Sequence, residues 1–447
     1  MEGQPMTPDA LKSLFDKQRR HRWVTKTSTA AQRAELLTQL KAEIRASIDE
    51  ISAVLNEDLL RTQRAAKVEV APVLADIDDA IANLDRWMAP TEYAPIPALG
   101  DAATAVRYEA RGVCLLFGPW NFPFALVFQP LVAIVAAGNT AIVKPNEMAP
   151  ATSAVAARII TSVFAEEHVA VVEGGVDLAE RLLDLPVDHI FFTGSPAVAR
   201  KVMARAAEHL ASVTLELGGK CPAIIDADAD VELAATHIAV GKHQNAGQIC
   251  LAPDHVWVHR DVRDEFVKKY LAAVENRYYI DGALAAERLG KLVDRRNFDR
   301  VSGYLDDAVA RGAEMISVGD SDPERRILAP TLLLNVATDA AVMRHEIFGP
   351  ILPVLDFTEM STVTSWLQDN DKPLAMYVFG RDREAIENVL AATSSGGVSI
   401  NGWALHFADS RLPFGGIGGS GMGRYHGVHG FRELSHARSV VSVGTAE

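Results

Sequence analysis

The sequence predicts an α/β protein of two parallel sheets in series, each covered by helices on both faces, with a small extended ribbon attached. Three observations carry this. From residue 112 onward short apolar runs alternate with helix-like segments, as expected of a parallel sheet wrapped on both sides. The alternation occurs twice, and 447 residues at about 150 per domain are enough for two or three domains. Before the first apolar run lies PTEYAPIPALGDAATAVRYEARG, from Pro90 to Gly112, whose prolines and Thr-Ala-Val-Arg-Tyr alternation predict a ribbon leaving the main body.

At the N-terminal end, Thr29 and Gln32 fit a capping box. Leu36, Leu40, Ile44, Ile48, Ile51 and Leu55 follow at helical spacing, so the first 88 residues read as mostly helical. After the ribbon come VCLLF, a helix over 124–138, TAIVKP, a helix over 150–164, HVAVVEG, a short helix, DHIFFTG and a helix from 196. The rhythm resumes with TLEL near 214 and continues through AIID, DHVWVH, ILPVLDF and LAMYVFG, with helices over 262–276 and 382–393. From about 409 a glycine-rich stretch, PFGGIGGSGMGRYHGVHG, leads into the alternating SHARSVVSVG.

Composition narrows the function classes. With 44 basic and 58 acidic residues the formal charge is −14, which disfavours broad attraction to phosphate backbones or anionic lipid. Neither nucleic acid nor a membrane surface is an expected partner. Gly112 to Val143 contains no charged residue, yet Pro119, Pro123, Gln129, Pro130, Gly138 and Asn139 break it up. A spanning helix so interrupted would leave backbone groups unsatisfied in lipid, whereas a buried strand, loop, helix and strand would not. The N-terminal MEGQPMTPDALKSLFDKQRRHR has no apolar core followed by a cleavage signal, so no secretory signal is expected. Three cysteines, Cys114, Cys221 and Cys250, cannot make a disulfide framework and point to a reducing compartment.

Several residues could carry chemistry. Cys250 lies in NAGQICLAP, where Gly247 and Pro253 indicate a turn. From its own context it reads either as a nucleophile or as a buried structural thiol, the commoner fate. Glu216 ends the apolar run VTLEL before Gly218 and Gly219, which delivers a carboxylate from a strand end to a glycine turn. Alone it reads equally as a salt-bridged loop residue. Asn121 stands between Pro119 and Pro123 after the first strand, where a rigidly held amide suits an oxyanion donor or simply caps local backbone. Lys144 in IVKPNE and the FFTGSP turn before a helix are candidate ribose and phosphate contacts, or an exposed lysine and an ordinary cap. No GxGxxG follows the first strands, and the 13 histidines include no HExxH or Cys/His set, so no metal site is expected.

Taken together, FGPWNFPF (117–124), KPNE (144–147), FFTGSPAVA (191–199), LELGGK (215–220), NAGQICLAP (245–253), EIFGP (346–350) and LPFGGIGGSGMGRYHG (412–427) resemble the aldehyde dehydrogenase superfamily. The motifs stand in the family's order, and the GQxCxAPDH and GMGRYHG forms are similar to its class-3 and coniferyl-aldehyde branch. The resemblance implies a Rossmann-type NAD(P)-binding domain over 1–89 and 112–215 and an α/β catalytic domain over 216–408. It also implies a small β-ribbon oligomerisation domain from 90–111 and 409–447. It implies Cys250 as nucleophile, Asn121 as oxyanion donor and Glu216 as general base for thioester hydrolysis. Lys144 and Glu147 would bind the adenosine ribose, Gly194 and Ser195 the pyrophosphate, and Glu346 the nicotinamide ribose. Trp120, Phe192, Thr193, Val198, Leu217 and Phe348 would complete the cofactor site.

The implied cofactor is NAD with NADP tolerated, because a carboxylate at Glu147 accepts from a ribose 2′-OH but repels a 2′-phosphate. The implied substrate is a hydrophobic aliphatic or aromatic aldehyde, with Phe122, Phe124, Trp403, His406 and Phe407 as entrance residues or ordinary core. A cytoplasmic homodimer is implied, and the tail after 430 has no apolar anchor. Competing readings are a CoA-acylating enzyme, whose members typically lack the Glu at 216, a cofactor-free thiol esterase, and a non-catalytic protein on the same scaffold. Two departures stand out: Gly419 before Ser420, where related chains often have Pro, and Cys221 after GGK.

Overall fold

The computed structural model describes residues 6–444, so residues 1–5 of the N-terminal segment and 445–447 of the tail lie outside the description. The N-terminal part is helical as expected: Pro8–Lys26, Ala30–Ala46, Ile48–Leu59 and Gln63–Met88. Thr29 and Gln32 form the capping box in full. A six-stranded sheet follows in the order Gly421–Met422, Ser212–Glu216, His189–Thr193, Val113–Phe117, Thr140–Lys144 and Val169–Val171. All neighbours are parallel except the short first strand.

The run VCLLF is apolar throughout because both sides of this sheet are covered. Val113, Leu115 and Phe117 pack with Leu11, Leu14 and Phe15 of the first helix and with Leu178 and Leu182 of Val176–Leu183. Cys114 and Leu116 point the other way, into the cluster that holds Leu37, Leu40, Val73 and Phe128. This is the period-two alternation of a strand applied to two buried faces. Gly112–Val143 is thus strand, loop, the helix Ala125–Ala136, and strand. Among the described residues no helix is long and apolar enough to cross a membrane.

A seven-stranded sheet runs Glu314–Ser317, Thr331–Leu334, Ile351–Phe357, His255–His259, Pro222–Ile225, Ala375–Phe379, Gly397–Ile400, antiparallel only at its first pair. A three-stranded antiparallel sheet joins Thr91–Tyr93, Ala103–Ala110 and Ser435–Ser442.

One expectation is corrected and one open reading is resolved. TLEL does not open the second rhythm: as Ser212–Glu216 it is the last parallel strand of the first sheet. Apolar runs of two parallel sheets look alike, so the pattern cannot assign membership. Of the two readings left open for Phe124, ordinary core holds: it is fully buried against Phe128 with ring centroids 4.4 Å apart.

In the first sheet the chain goes outward from Val113–Phe117 to Val169–Val171, then returns to His189–Thr193 on the other side. The strand ends on either side of that reversal, Phe117 and Thr193, open into a cleft, where doubly wound sheets bind their ligands.

Candidate active site

The cleft has a volume of about 860 Å³ and runs from the groove between Val176–Leu183 and Pro196–His209 to Cys250. Trp120, Asn121, Lys144, Glu147 and Phe192 line it, as do Thr193, Gly194, Ser195, Val198 and Glu216. Leu217, Cys250, Glu346 and Phe348 complete the set that the sequence singled out.

The loop before Cys250 is made by three successive residues with positive φ: Asn245 (54°), Ala246 (53°) and Gly247 (77°). A Cβ on Gly247 would lie 2.3 Å from the Gly349 carbonyl oxygen, so glycine is required by both conformation and space. Tyr377 Oη (2.6 Å) and Trp403 Nε1 (2.9 Å) donate to the Leu251 carbonyl, and the Cys221 thiol donates to that of Cys250 (3.3 Å). Cys221, an oddity in the sequence, thus helps to hold the backbone of the candidate nucleophile. Gln248 is held through Asn245 O (2.9 Å), Lys291 O (3.0 Å) and Val293 N (3.0 Å). Its own carbonyl accepts from Asn121 Nδ2 at 3.0 Å, which ties the amide to the cysteine loop.

Charge in this space is crowded. Cys250 is pushed up to about 12 by burial first, then by Glu346 and Glu216. Glu216 is raised well above the usual carboxylate range, chiefly by burial, and neither of its oxygens has a hydrogen-bond partner among the described residues. Glu346 is raised to about 7 by burial although its Oε1 accepts from Gly219 N at 3.1 Å. The thiol therefore rests protonated, and any attack by its sulfur requires loss of that proton.

Lys220 and Asp254, unassigned from the sequence, position Glu346. Lys220 pairs with Asp254 and donates to Val342 O (2.8 Å) and His345 O (3.1 Å), while Asp254 Oδ1 accepts from Ile347 N at 2.9 Å. Arg300 adds a bond to Ile347 O at 3.0 Å. Lys220 lies in the GGK motif and Asp254 follows NAGQICLAP, but their partners are distant in sequence, so no local signal reveals the linkage.

The residues fit a dinucleotide. Lys144 is buried and reaches Glu147 at 2.5 Å, which sets a cation and a carboxylate side by side for a ribose diol. Ser195 caps the helix Pro196–His209, whose N-terminus faces the cleft next to Gly194. A Cβ on Gly194 would meet the Phe192 ring at 2.6 Å, so the turn stays bare, and the Gly194 N–H donates to the Glu216 carbonyl at 3.0 Å. Trp120 meets Phe348 edge-on at 5.5 Å.

A doubly wound sheet with a ligand cleft at its switch point, and a thiol, an amide and a carboxylate at one end, is the architecture of a dinucleotide-dependent enzyme. The chain matches the aldehyde dehydrogenase family over residues 6–440. It is 42% identical over 401 residues to a protein named "probable coniferyl aldehyde dehydrogenase" from Caulobacter vibrioides, covering 88% of this chain and 82% of that one. It is 38% identical over 416 residues to the "dimeric NADP-preferring" aldehyde dehydrogenase of Rattus norvegicus, covering 93% and 90%. A substrate-bound structure of Staphylococcus aureus AldH superposes with a TM-score of 0.93 at 34% identity, over 97% of this chain and 94% of that chain. The chain belongs to the aldehyde dehydrogenase family, on its class-3-like branch. Its reaction is the NAD(P)-dependent oxidation of an aldehyde to its carboxylic acid.

Proposed function

We propose that the chain oxidises hydrophobic aliphatic or aromatic aldehydes with Cys250 as nucleophile, Asn121 as oxyanion donor and Glu216 as general base. The observation that supports this best is the meeting of the three at one end of the cleft, with Asn121 bonded to the loop that carries Cys250. Attack of Cys250 Sγ on the carbonyl carbon forms a C–S bond and places negative charge on oxygen. The second Asn121 Nδ2 hydrogen and the Cys250 N–H donate to that oxygen. The thiol proton passes to solvent as the C–S bond forms, which leaves Glu216 free for the hydrolytic step. A nicotinamide, when bound, supplies the acceptor for the aldehyde hydride. Water then attacks the thioester on Cys250, Glu216 takes a proton from that water and returns it to the departing sulfur as the C–S bond breaks, and the acid leaves with the thiol restored.

Lys144 and Glu147 would hold the adenosine ribose, Ser195 and Gly194 the pyrophosphate, and Glu346 the second ribose. NAD is the first choice because Glu147 repels a 2′-phosphate, and NADP is tolerated because Glu147 is 39% exposed and neutralised by Lys144. Residues 1–89 and 112–215 would form the cofactor domain and 216–408 the catalytic domain. The ribbon 90–111 and the tail from 409 would assemble a cytoplasmic homodimer, with Gly421–Met422 returning to the first sheet.

The test is formation of reduced nicotinamide by purified protein on a panel of aldehydes, with NAD and NADP in parallel and CoA present or absent. CoA-independent turnover on hydrophobic aldehydes is expected. Strict dependence on CoA moves the acylating reading ahead, and ester cleavage without cofactor or aldehyde turnover moves the esterase reading ahead.

A further inference from the structure

The loop of Asn121 is gripped from behind by a buried ion pair that belongs to none of the motifs. Arg61 lies between the helices Ile48–Leu59 and Gln63–Met88, and its side chain is 4% exposed. Its guanidinium donates to the Glu69 carboxylate and to the Asn121 carbonyl, while Nε reaches Asn245 Oδ1 at 3.4 Å. Its carbon Cζ lies 4.3 Å from the centroid of the Phe122 ring. Glu69 Oε1 in turn accepts from Phe124 N (2.9 Å) and Ala125 N (3.1 Å), where the loop enters the helix Ala125–Ala136. Asn245 Nδ2 donates to the same Asn121 carbonyl at 3.0 Å.

Asn121 is therefore fixed at both ends. Two donors hold its backbone oxygen, Gln248 O holds one side-chain hydrogen, and one Nδ2–H is left for a substrate oxygen. A buried ion pair is a weak source of stability, since apolar residues of similar volume often do as well. What an apolar pair cannot do is direct three donors of one planar fork at three fixed acceptors.

We propose that Arg61, assisted by Asn245, is the positioning residue for the Asn121 oxyanion donor, an inference that rests on the role given to Asn121 above. A lysine at 61 keeps the charge facing Glu69 but cannot also reach Asn121 and Asn245. An aspartate at 245 keeps the volume but replaces the donor to the Asn121 carbonyl with an acceptor.

The experiment compares Arg61→Lys, Asn245→Asp and Asn121→Ala with the parent in pre-steady-state bursts of reduced nicotinamide. Melting temperature, cofactor Kd by tryptophan fluorescence and the rate of Cys250 alkylation by iodoacetamide are measured alongside. Loss of an oxyanion donor slows acylation by about 10²–10³-fold. Arg61→Lys and Asn245→Asp are expected to slow the burst by about tenfold or more, with KM within about twofold, and to leave cofactor Kd and alkylation, which forms no oxyanion, unchanged. Should Arg61→Lys fail to fold, Asn245→Asp alone decides. Parent-like bursts in the folded variants, beside an impaired Asn121→Ala, overturn the positioning role. A parent-like burst in Asn121→Ala overturns the reading of Asn121 instead. Equal losses in burst, cofactor affinity and alkylation reduce Arg61 to a structural part.

Discussion

Cys250 faces two carboxylates that oppose its ionisation, and Glu346 is the larger of the two charges acting on it. Replacing Glu346 by Gln removes a negative charge that disfavours the thiolate, so the thiol's apparent pKa must fall. The pH profile of iodoacetamide alkylation is expected to move to lower pH in Glu346→Gln, and an unmoved or raised midpoint would contradict this charge ordering. Cys250→Ala should abolish turnover while leaving cofactor Kd within about twofold, because the thiol lies at the end of a cleft whose other contacts remain. Glu216 acts as a base only when deprotonated, and burial raises its pKa, so thioester hydrolysis should gain rate with rising pH above the usual carboxylate range. Glu216→Gln is expected to keep the burst and lose that pH-dependent steady phase. Steady turnover at the parent rate in this variant would remove the general-base role. Asn121, Glu216 and Cys250 were legible as candidates because each sits in a local pattern: two prolines around Asn121, a glycine turn after Glu216, a turn around Cys250. Arg61, Glu69 and Lys220 were not, because their work is defined by partners tens of residues away.

Elements were legible where burial imposes a period. The helices expected over 124–138, 150–164 and 262–276 occur as Ala125–Ala136, Pro150–Val163 and Arg263–Tyr278. Glu314–Ser317 escaped notice because it is an edge strand with mostly exposed residues, hence no apolar run. The helix Gln63–Met88 carries a feature that only packing reveals. Its Asp76 is buried against the helix Ala125–Ala136, accepts from Gln129 Nε2 at 2.7 Å, and is raised to about 7, chiefly by burial. In the unfolded chain the same group titrates near the ordinary value of about 3.9. The folded state thus holds the extra proton between these values, and stability falls as pH rises from about 4 to about 7. Asp76→Asn has no proton to lose and keeps an acceptor for Gln129. It is expected to be more stable than the parent by about 1–2 kcal/mol near pH 8, with the difference vanishing near pH 4. Denaturant melts at the two pH values check this, and a variant less stable than the parent near pH 8 would show that the charged form is accommodated.

At the scale of the whole molecule, the described part of the three-stranded sheet leaves an apolar edge open. Among the described residues, Ser435–Ser442 is an eight-residue edge strand paired on one side only, to Ala103–Ala110. Its far end exposes Val441 (55%), Val443 just beyond it is 78% exposed, and the same ribbon exposes Tyr93 (59%) and Ile96 (53%). A long edge with apolar side chains is a template for pairing with another chain unless it is charged, bulged or covered. Arg438 is drawn aside to Glu109 at 3.1 Å, so the apolar end has little charge protection. The proposed homodimer resolves this by covering the edge with a second copy. A carboxylate at Val441 would then be desolvated in the dimer and hydrated in the monomer, so Val441→Asp should favour the monomer. Sedimentation equilibrium is expected to give twice the chain mass for the parent and a shift towards single-chain mass for Val441→Asp, at parent-like melting of the monomer. A parent that sediments at single-chain mass would refute the dimer, and an unshifted variant would move its interface away from this edge.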